Sequence, residues 1–163
     1  MEKVREEPAR RRRRLRSGRE RGASGCRVAG EQVAGWLIDT SVLVDAERGG
    51  GALGRVPEDE EHAISVVTVS ELLHGVRRAD DSARRTQRQA FVEHVLADLE
   101  VLPATIEVAR IHADLWAQLE AGGEIIGAHD LWIAATALAH GLRLATANAR
   151  EFERVPGLEV LAP

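Results

Sequence analysis

Hydrophobic residues occur along this chain both in short continuous runs and in longer runs with a helical period. Residues 36–44 (Trp-Leu-Ile-Asp-Thr-Ser-Val-Leu-Val) and 62–67 (His-Ala-Ile-Ser-Val-Val) predict buried strands, the first of which runs into a turn. Residues 101–103, 142–146 and 158–161 predict three more strands. Continuous apolar runs, rather than alternating ones, are typical of strands that are covered on both faces, as in a parallel sheet.

The longer runs predict helices, because their apolar residues recur every three or four positions. The predicted helices are 68–76, 86–99, 105–120 and 128–140, with a short helical turn at 150–152. Gly141 follows the most apolar of them and suits a left-handed C-terminal cap. Strands that alternate with helices predict an α/β layered domain with a mostly parallel sheet, whose ligand site lies beyond the carboxyl ends of the strands.

Charge divides the chain into two parts. Residues 1–35 carry 11 of the 22 basic and five of the 26 acidic side chains, with an unbroken run from Arg10 to Arg14. We expect a disordered basic extension there, because these residues lack an apolar period, and one domain in residues 36–163. Three interpretations of the extension stay open: an RNA-attracting arm, a solvated tail, or a chain assigned to start upstream of its true beginning.

The single cysteine, Cys26, excludes a disulfide framework and a cysteine-based zinc site, and it fits a reducing cytosol. The sequence has no apolar run of membrane-spanning length, and its arginine-rich beginning lacks the apolar stretch of a secretory signal. We therefore expect a cytoplasmic protein that does not enter a membrane. The acidic charge of residues 36–163 argues against nucleic-acid binding by bulk electrostatics, although a metal ion and a few placed arginines can still engage phosphates.

Three acids accompany the short hydrophobic runs. Asp39 interrupts the first predicted strand, Glu71 ends the segment Thr-Val-Ser-Glu at a predicted helix start, and Asp130 opens the most apolar helix. Each has a structural interpretation: Asp39 as an Asx-turn or N-cap, Glu71 as the glutamate of a capping box with Thr68, and Asp130 as a helix cap. The competing interpretation is functional, because a carboxylate at such a place costs desolvation free energy unless donors or a cation meet it.

The co-occurrence of the three acids favours one shared cation. Their mutual repulsion would make an empty site unfavourable, and a divalent ion would relieve it. Few hard oxygen ligands with open positions for water and phosphate indicate Mg²⁺, with Mn²⁺ as a substitute. The hydroxyls of Thr40 and Ser41 are placed to orient the carboxylate of Asp39 or a bound water.

Other chemistry is weaker in the sequence. Motifs of nucleotide cradles, hydrolase elbows and zincins are missing. His129 precedes Asp130 and is at most an accessory residue, because the six histidines show no ligand spacing. Arg84, Arg85 and Arg88 are spaced so that they could share one helix face, and two interpretations stay open for them: contacts with phosphates or a solvated face.

At these residues the chain resembles the PIN-domain ribonucleases and, within them, the VapC toxins of bacterial toxin–antitoxin pairs. The matching segments span about residues 36–161 in the order that the family shows. They are Leu37-Ile-Asp-Thr-Ser-Val42, Thr68-Val-Ser-Glu-Leu-Leu-His-Gly75, His129-Asp-Leu-Trp-Ile-Ala-Ala-Thr-Ala-Leu138 and Leu144-Ala-Thr-Ala-Asn-Ala-Arg-Glu-Phe-Glu-Arg-Val-Pro-Gly-Leu158. The resemblance implies a three-layer α/β/α PIN domain with a mostly parallel sheet.

The resemblance also implies a function: Mg²⁺-dependent endonucleolytic cleavage of cellular RNA (tRNA, rRNA or mRNA) by the toxin of a toxin–antitoxin pair. Asp39, Glu71 and Asp130 then correspond to the catalytic, metal-binding acids of the family, with Glu71 acting directly or through water. A homodimer and a small cognate antitoxin are the implied partners. One corner departs from the family, since many relatives have an aspartate where this chain has Thr146, Asn148 and Glu151, and a second metal is correspondingly less certain.

Two other functions compete with the nuclease. A catalytically impaired PIN-like module that binds RNA or a partner is compatible with Asn148, and metal dependence separates it from the nuclease. An aspartyl-phosphate phosphotransferase that uses Asp39 is disfavoured, because such enzymes rely on a lysine near the phosphate and residues 36–163 contain none.

Overall fold

The computed structural model of the protein describes residues 35–163, which form five strands and six α-helices. A 3₁₀ turn, Leu53–Arg55, lies between the first helix and the second strand. The predicted basic extension lies outside the described residues except for Gly35, so it and the domain boundary stay predictions. In chain order, the elements are β1 Trp36–Ile38, α1 Thr40–Glu47, β2 His62–Ser65, α2 Val66–Arg77, α3 Ser82–Asp98, β3 Glu100–Leu102, α4 Ile106–Ala121, α5 Ala128–His140, β4 Arg143–Ala145, α6 Ala149–Phe152 and β5 Val160–Leu161.

The five strands form one sheet in the order β3-β2-β1-β4-β5, and every neighbouring pair is parallel. From β1 the chain builds the sheet on one side through β2 and β3, and it then returns to the other side of β1 through β4. This reversal places a topological switch point between β1 and β4, where parallel sheets bind their ligands. The backbone N–H of Asp39 donates to the carbonyl of Ala145 at 2.9 Å and so aligns the two carboxyl ends.

Buried side chains cover both faces of the sheet. Trp36, Ile38 and Ile64 point to a core that α1, α2 and α3 complete, whereas Leu37 and Leu144 point to a core that α4, α5 and α6 complete. Alternation along β1 divides its residues between the two cores, as the two-residue period of a strand requires. The structure therefore confirms the three-layer α/β/α arrangement and the parallel sheet.

The prediction of a strand through residue 44 is wrong, because β1 ends at Ile38 and residues 40–47 form α1. The side chain of Asp39 caps this helix by accepting the backbone N–H of Ser41. Val42 and Leu43 are fully buried against the sheet, so their apolar character reflects a buried helix face rather than a strand. Short apolar runs do not distinguish a buried helical turn from a buried strand.

The second strand is also shorter than predicted, since it ends at Ser65 and α2 starts at Val66. The remaining elements begin and end within four residues of their predicted bounds, and α5 matches its prediction at both ends. Gly141 has φ 61° and ψ 43°, the left-handed cap that the sequence indicates. In residues 35–163, no helix combines the length and the apolar character that crossing a membrane requires.

Ile133→Ala tests the core between the sheet and α5. Ile133 is fully buried, whereas Ile106 at the start of α4 is 74% exposed. We expect Ile133→Ala to lower the free energy of unfolding by about 2–5 kcal/mol through lost burial and a residual cavity. The matched substitution Ile106→Ala should change it by less than about 0.5 kcal/mol. Urea denaturation followed by circular dichroism measures both, and equal losses would contradict this description of the core.

Candidate active site

Asp39 lies at the carboxyl end of the central strand β1 and is only 5% exposed. A carboxylate in such a place needs hydrogen-bond donors or a cation, because desolvation penalises its charge. Two hydroxyls meet it: Ser41 Oγ donates to Oδ2 at 2.5 Å and Thr146 Oγ1 donates to the same atom at 2.8 Å. Asp39 does cap α1, but capping alone does not explain why two hydroxyls also donate to its carboxylate.

The hydroxyl of Thr146 is fixed in turn by the loop that follows β4. The backbone N–H of Asn148 donates to Thr146 Oγ1 at 3.0 Å, and the backbone N–H of Ala147 donates to Ser41 Oγ at 2.9 Å. All the hydrogen bonds that Asp39 accepts through its side chain reach Oδ2, and within residues 35–163 none reaches Oδ1. The arrangement therefore orients one oxygen of the carboxylate and leaves the other available to a ligand.

Glu71 does not belong to the capping box that the sequence suggests. Ser65 is the N-cap of α2, and its Oγ accepts the backbone N–H of Thr68 at 2.9 Å. Glu71 therefore lies in the second turn, where its carboxylate has no capping role. It instead accepts a short hydrogen bond from the hydroxyl of Thr40, and its Oε1 lies 2.8 Å from Nδ1 of His129.

These two contacts place Glu71 between the other acids. Thr40 directly follows Asp39 in the chain, and His129 directly precedes Asp130. Because Glu71 touches both neighbours, α2 brings its carboxylate to the start of α1 and to the start of α5 at once. The structure thus gathers Asp39, Glu71 and Asp130 at the carboxyl edge of the sheet.

Asp130 lies in the first turn of α5, three residues after the N-cap Gly127, and among residues 35–163 no side-chain hydrogen bond caps this helix. Its Oδ2 lies over Gly127 so closely that a Cβ built there would be 3.2 Å away. Burial raises the pKa of Asp130 to about 6, with further increases from the charges of Asp39, Glu71 and Glu151 and an opposing effect of His129. These carboxylates are therefore close enough to repel one another.

Asn148 and Glu151 lie at the corner of the site where the sequence departs from the family pattern. Asn148 is exposed at the N-cap of α6, and only its backbone N–H takes part in the Thr146 network. Glu151 lies one turn further along and contributes negative charge at Asp130. It also forms an ion pair with Arg154 at 3.6 Å.

The donor set fits a hard divalent cation through two carboxylates rather than three. No group of three or more His, Cys, Asp and Glu side chains in the described part of the chain is arranged to hold an ion. The carboxylate of Glu71 is already engaged by Thr40 and His129. Asp39 Oδ1 and Asp130 are not so engaged, and oxygen ligands of this kind, completed by water, suit Mg²⁺.

Sequence reasoning missed one contributor to this site and underrated another. Gly127 matters because any side chain there would press on the carboxylate of Asp130, yet a glycine before a helix has no distinguishing signal in a single sequence. His129 was expected to be an accessory residue only. It contacts Glu71, which lies 58 residues earlier in the chain, and so joins α5 to α2. Such a long-range pair is invisible to local patterns.

Comparison with known proteins assigns the family. Residues 36–158 match the model of the PIN domain. Ribonuclease VapC1 from Rickettsia felis is 38% identical over 127 residues, which cover 78% of this chain and 95% of that protein. The tRNA(fMet)-specific endonuclease VapC from Salmonella typhimurium is 36% identical over 97 residues, or 60% of this chain and 71% of that protein.

A solved structure agrees with these relatives. The crystal structure of VapBC-5 from Mycobacterium tuberculosis, a member of the VapBC family of toxin–antitoxin systems, superposes with a TM-score of 0.67. It is 34% identical and covers 80% of this chain and 99% of the matched chain. Family model, sequence relative and fold agree over the whole described domain. The chain therefore belongs to the PIN-domain family and, within it, to the VapC ribonucleases.

Proposed function

We propose that the protein is a Mg²⁺-dependent endoribonuclease, with Mn²⁺ as a substitute, that acts as the toxin of a toxin–antitoxin pair. The observation that carries the proposal is the convergence of Asp39, Glu71 and Asp130 at the switch point of the sheet. Membership of the VapC ribonucleases supports the reaction, the hydrolysis of a phosphodiester bond in RNA. PIN-domain ribonucleases of this kind depend on a metal ion in general.

Asp39 and Asp130 would hold the cation directly, and Glu71 would act directly or through water. When bound, Mg²⁺ supplies Lewis-acid polarisation of the scissile phosphate and activation of the attacking water. The chain itself offers no activated side-chain nucleophile at this site, because the hydroxyls of Ser41 and Thr146 donate to Asp39. A mechanism through hydrolytic water fits this arrangement better than a covalent one.

The residues around the acids have positioning roles in this proposal. Thr146 and Ser41 fix Oδ2 of Asp39 and so direct Oδ1 at the ligand. Thr40 and His129 hold Glu71 between the two direct ligands. Supporting hydrogen bonds of this kind orient ligands before the ion binds and raise its affinity. Asn148 is available to water or to a second ion at the far corner, where Glu151 is paired with Arg154.

The partners follow from the same family. The matched structure from Mycobacterium tuberculosis is described as a member of a toxin–antitoxin system, which supports a cognate antitoxin for this chain. We propose that a segment of this antitoxin fills the acidic site, with an arginine in place of the cation. A homodimer and action on cytoplasmic RNA complete the proposal, and tRNA is the first substrate class to test, because one relative is named for it.

The first prediction concerns the metal and the acids. The full chain should convert purified tRNA or rRNA to discrete fragments with Mg²⁺ or Mn²⁺ but not with EDTA. Asp39→Asn and Asp130→Asn should each lower the cleavage rate by at least about 100-fold, since even outer residues of metal sites cost about 10–100-fold. Asp114→Asn, at an exposed position of α4, is the matched control and should keep full activity.

Two results would count against the nuclease. Intact RNA under every metal condition, from a protein whose thermal unfolding shows that it is folded, would favour the RNA- or partner-binding module instead. Fragments that persist in both acid variants would place the activity outside these acids or in a contaminant.

Thr146→Val tests the positioning of Asp39. Valine keeps the volume of threonine but removes the hydroxyl that donates to Oδ2 at 2.8 Å. We expect kcat to fall by about 10–100-fold, as for other residues that orient a metal ligand. Thr146→Ser should restore most of the rate, because it returns the hydroxyl. A loss that serine fails to rescue, with both proteins folded, would assign Thr146 a packing role only.

The raised pKa of Asp130 predicts how the stability depends on pH. Its pKa is about 6 in the folded protein against 3.8 as the ordinary value, so the folded state binds more protons between these values. The free energy of unfolding should therefore fall as the pH rises through this window and stay lower above it. Asp130→Asn removes this penalty and should be more stable than the parent chain above pH 6, with the difference disappearing near pH 4.

Because Asp130 is half exposed, solvent screening reduces the effect of its charge on stability. We expect Asp130→Asn to gain about 2–4 °C in Tm, or about 1 kcal/mol, at neutral pH without metal. Differential scanning calorimetry in EDTA measures it, and Asp114→Asn is again the control. A gain of the same size at pH 4 would show that the ionised carboxylate of Asp130 is not its cause.

A further inference from the structure

A groove lined by arginines begins at Glu71 and runs along α2 and α3. Its first part is a cavity of about 390 Å³, and its second part, of about 460 Å³, shares Arg48, Arg84 and Arg88 with the first and extends to Gln87. We call the two parts together the arginine groove. The basic side chains that line it are Arg48, His74, Arg78, Arg84 and Arg88.

One of these arginines has a structural role. Arg88 forms an ion pair with Glu47 at 3.0 Å, and its other nitrogen donates to the carbonyl of Gly75 at 2.9 Å. It therefore ties α3 to α1 and α2. Arg85, on the same helix, does not line the groove, and it donates to the carbonyl of Ala79 at 3.1 Å. On α3, Arg85 makes a structural contact only, whereas Arg88 makes structural contacts and also lines the groove.

Three arginines of the groove are free for another partner. Within residues 35–163, Arg48, Arg78 and Arg84 make no ion pair, and no hydrogen bond of their side chains holds them to the protein. Asp80 lines the same cavity but lies outside ion-pair distance. Three unpaired arginines that line one groove, in a domain with 21 acidic residues, are placed for an external anion, and the planar fork of arginine suits phosphate oxygens.

The position of the groove connects this anion site to the acids. Glu71 forms part of the groove wall and also contacts the neighbours of Asp39 and Asp130. A strand that enters the acidic site must overcome repulsion from its carboxylates, and cationic contacts beside the site offset it. Cavities of about 300–1,000 Å³ hold small ligands, so each part of the groove has room for about one nucleotide.

We propose that the arginine groove binds the phosphates of single-stranded RNA on one side of the scissile bond, through Arg48, Arg78 and Arg84. This inference rests on the proposed function, because it identifies the path of the same substrate. The groove supplies affinity and register, and the acids supply the chemistry. Phosphate contacts of this kind position a strand without reading its sequence, so the groove sets where the strand enters rather than which bases are cut.

The test measures binding without cleavage. The full chain with Asp39→Asn and Asp130→Asn is titrated, in EDTA, into a fluorescent single-stranded RNA of about 12 nucleotides, a length within the usual site sizes. The groove variant adds Arg48→Gln, Arg78→Gln and Arg84→Gln. The control variant adds Arg55→Gln, Arg77→Gln and Arg110→Gln, which are exposed arginines that do not line the groove. The basic residues 1–35 are the same in both and contribute equally.

The groove variant should raise Kd at least tenfold at about 150 mM salt and lower the slope of log K against log salt by about 2, because each phosphate contact on a single strand contributes about 0.7. The control variant should stay within about twofold of the parent. Should the triple variant unfold below the assay temperature, Arg84→Gln alone keeps the test, with an expected decrease in slope of about 0.7.

Equal affinities and slopes for the groove and control variants would overturn the proposal. Unchanged RNA binding together with lost binding of a glutamate-rich peptide would also overturn it and would make the groove a docking surface for an acidic protein segment. Failure of the proposed function looks different: the active chain would leave RNA intact with Mg²⁺, while the binding difference between the two variants would persist and support the groove.

Discussion

The site depends on how the buried carboxylate of Asp39 is satisfied. Removing an ionised carboxylate from water costs several kcal/mol, and each hydrogen bond to a charged group returns about 1.5–3 kcal/mol. The hydroxyls of Ser41 and Thr146 supply two such bonds. Ser41 belongs to α1, which follows β1, and Thr146 follows β4, so the carboxylate joins the two sides of the switch point. The same bonds that make Asp39 tolerable in the fold orient it for a ligand.

The other acids are treated differently, and the difference has a physical basis. Glu71 is held by Thr40 and His129 and is partly exposed, so its charge is compensated without a metal. Asp130 accepts no such bonds from the described part of the chain, and burial with three neighbouring carboxylates raises its pKa to about 6. The unfavourable electrostatic free energy of the site is thus concentrated on Asp130. A divalent cation between Asp39 and Asp130 would remove most of it, which makes the ion a stabilising ligand as well as the proposed cofactor.

Patterns in the sequence predicted the layered α/β fold because the long helices are strongly periodic and the strands are buried on both faces. Element α5 was predicted to the residue, since its apolar run ends at a glycine with positive φ. Local patterns failed where a few residues decide between structures. Residues 40–44 read as strand because a buried helical turn is equally apolar, and Glu71 matched a capping box because Ser65, the true cap, has the same chemistry as Thr68 three residues later.

The convergence of the candidate acids could be predicted from the sequence, but the contacts that join them could not. Acids at strand exits and helix starts identified Asp39, Glu71 and Asp130, since such positions penalise a charge that has no purpose there. The contact of Glu71 with His129 and the separate roles of Arg84, Arg85 and Arg88 depend on how distant helices pack. No spacing in the sequence encodes them. A tertiary contact of this kind can be read only from the fold.

The uneven distribution of charge over the domain favours one direction of approach for an anionic strand. With 11 basic and 21 acidic residues from 36 to 163, the domain as a whole repels a polyanion, and a uniform distribution would keep RNA away from the carboxylates. Arg48, Arg78 and Arg84 break this uniformity beside Glu71, on one side of the acids. In the proposed mode of binding, a strand is attracted along the groove and repelled elsewhere, so that local charge, rather than net charge, determines its approach. Concentrating a few unpaired arginines in an acidic domain gives orientation, where a generally basic surface would give only affinity.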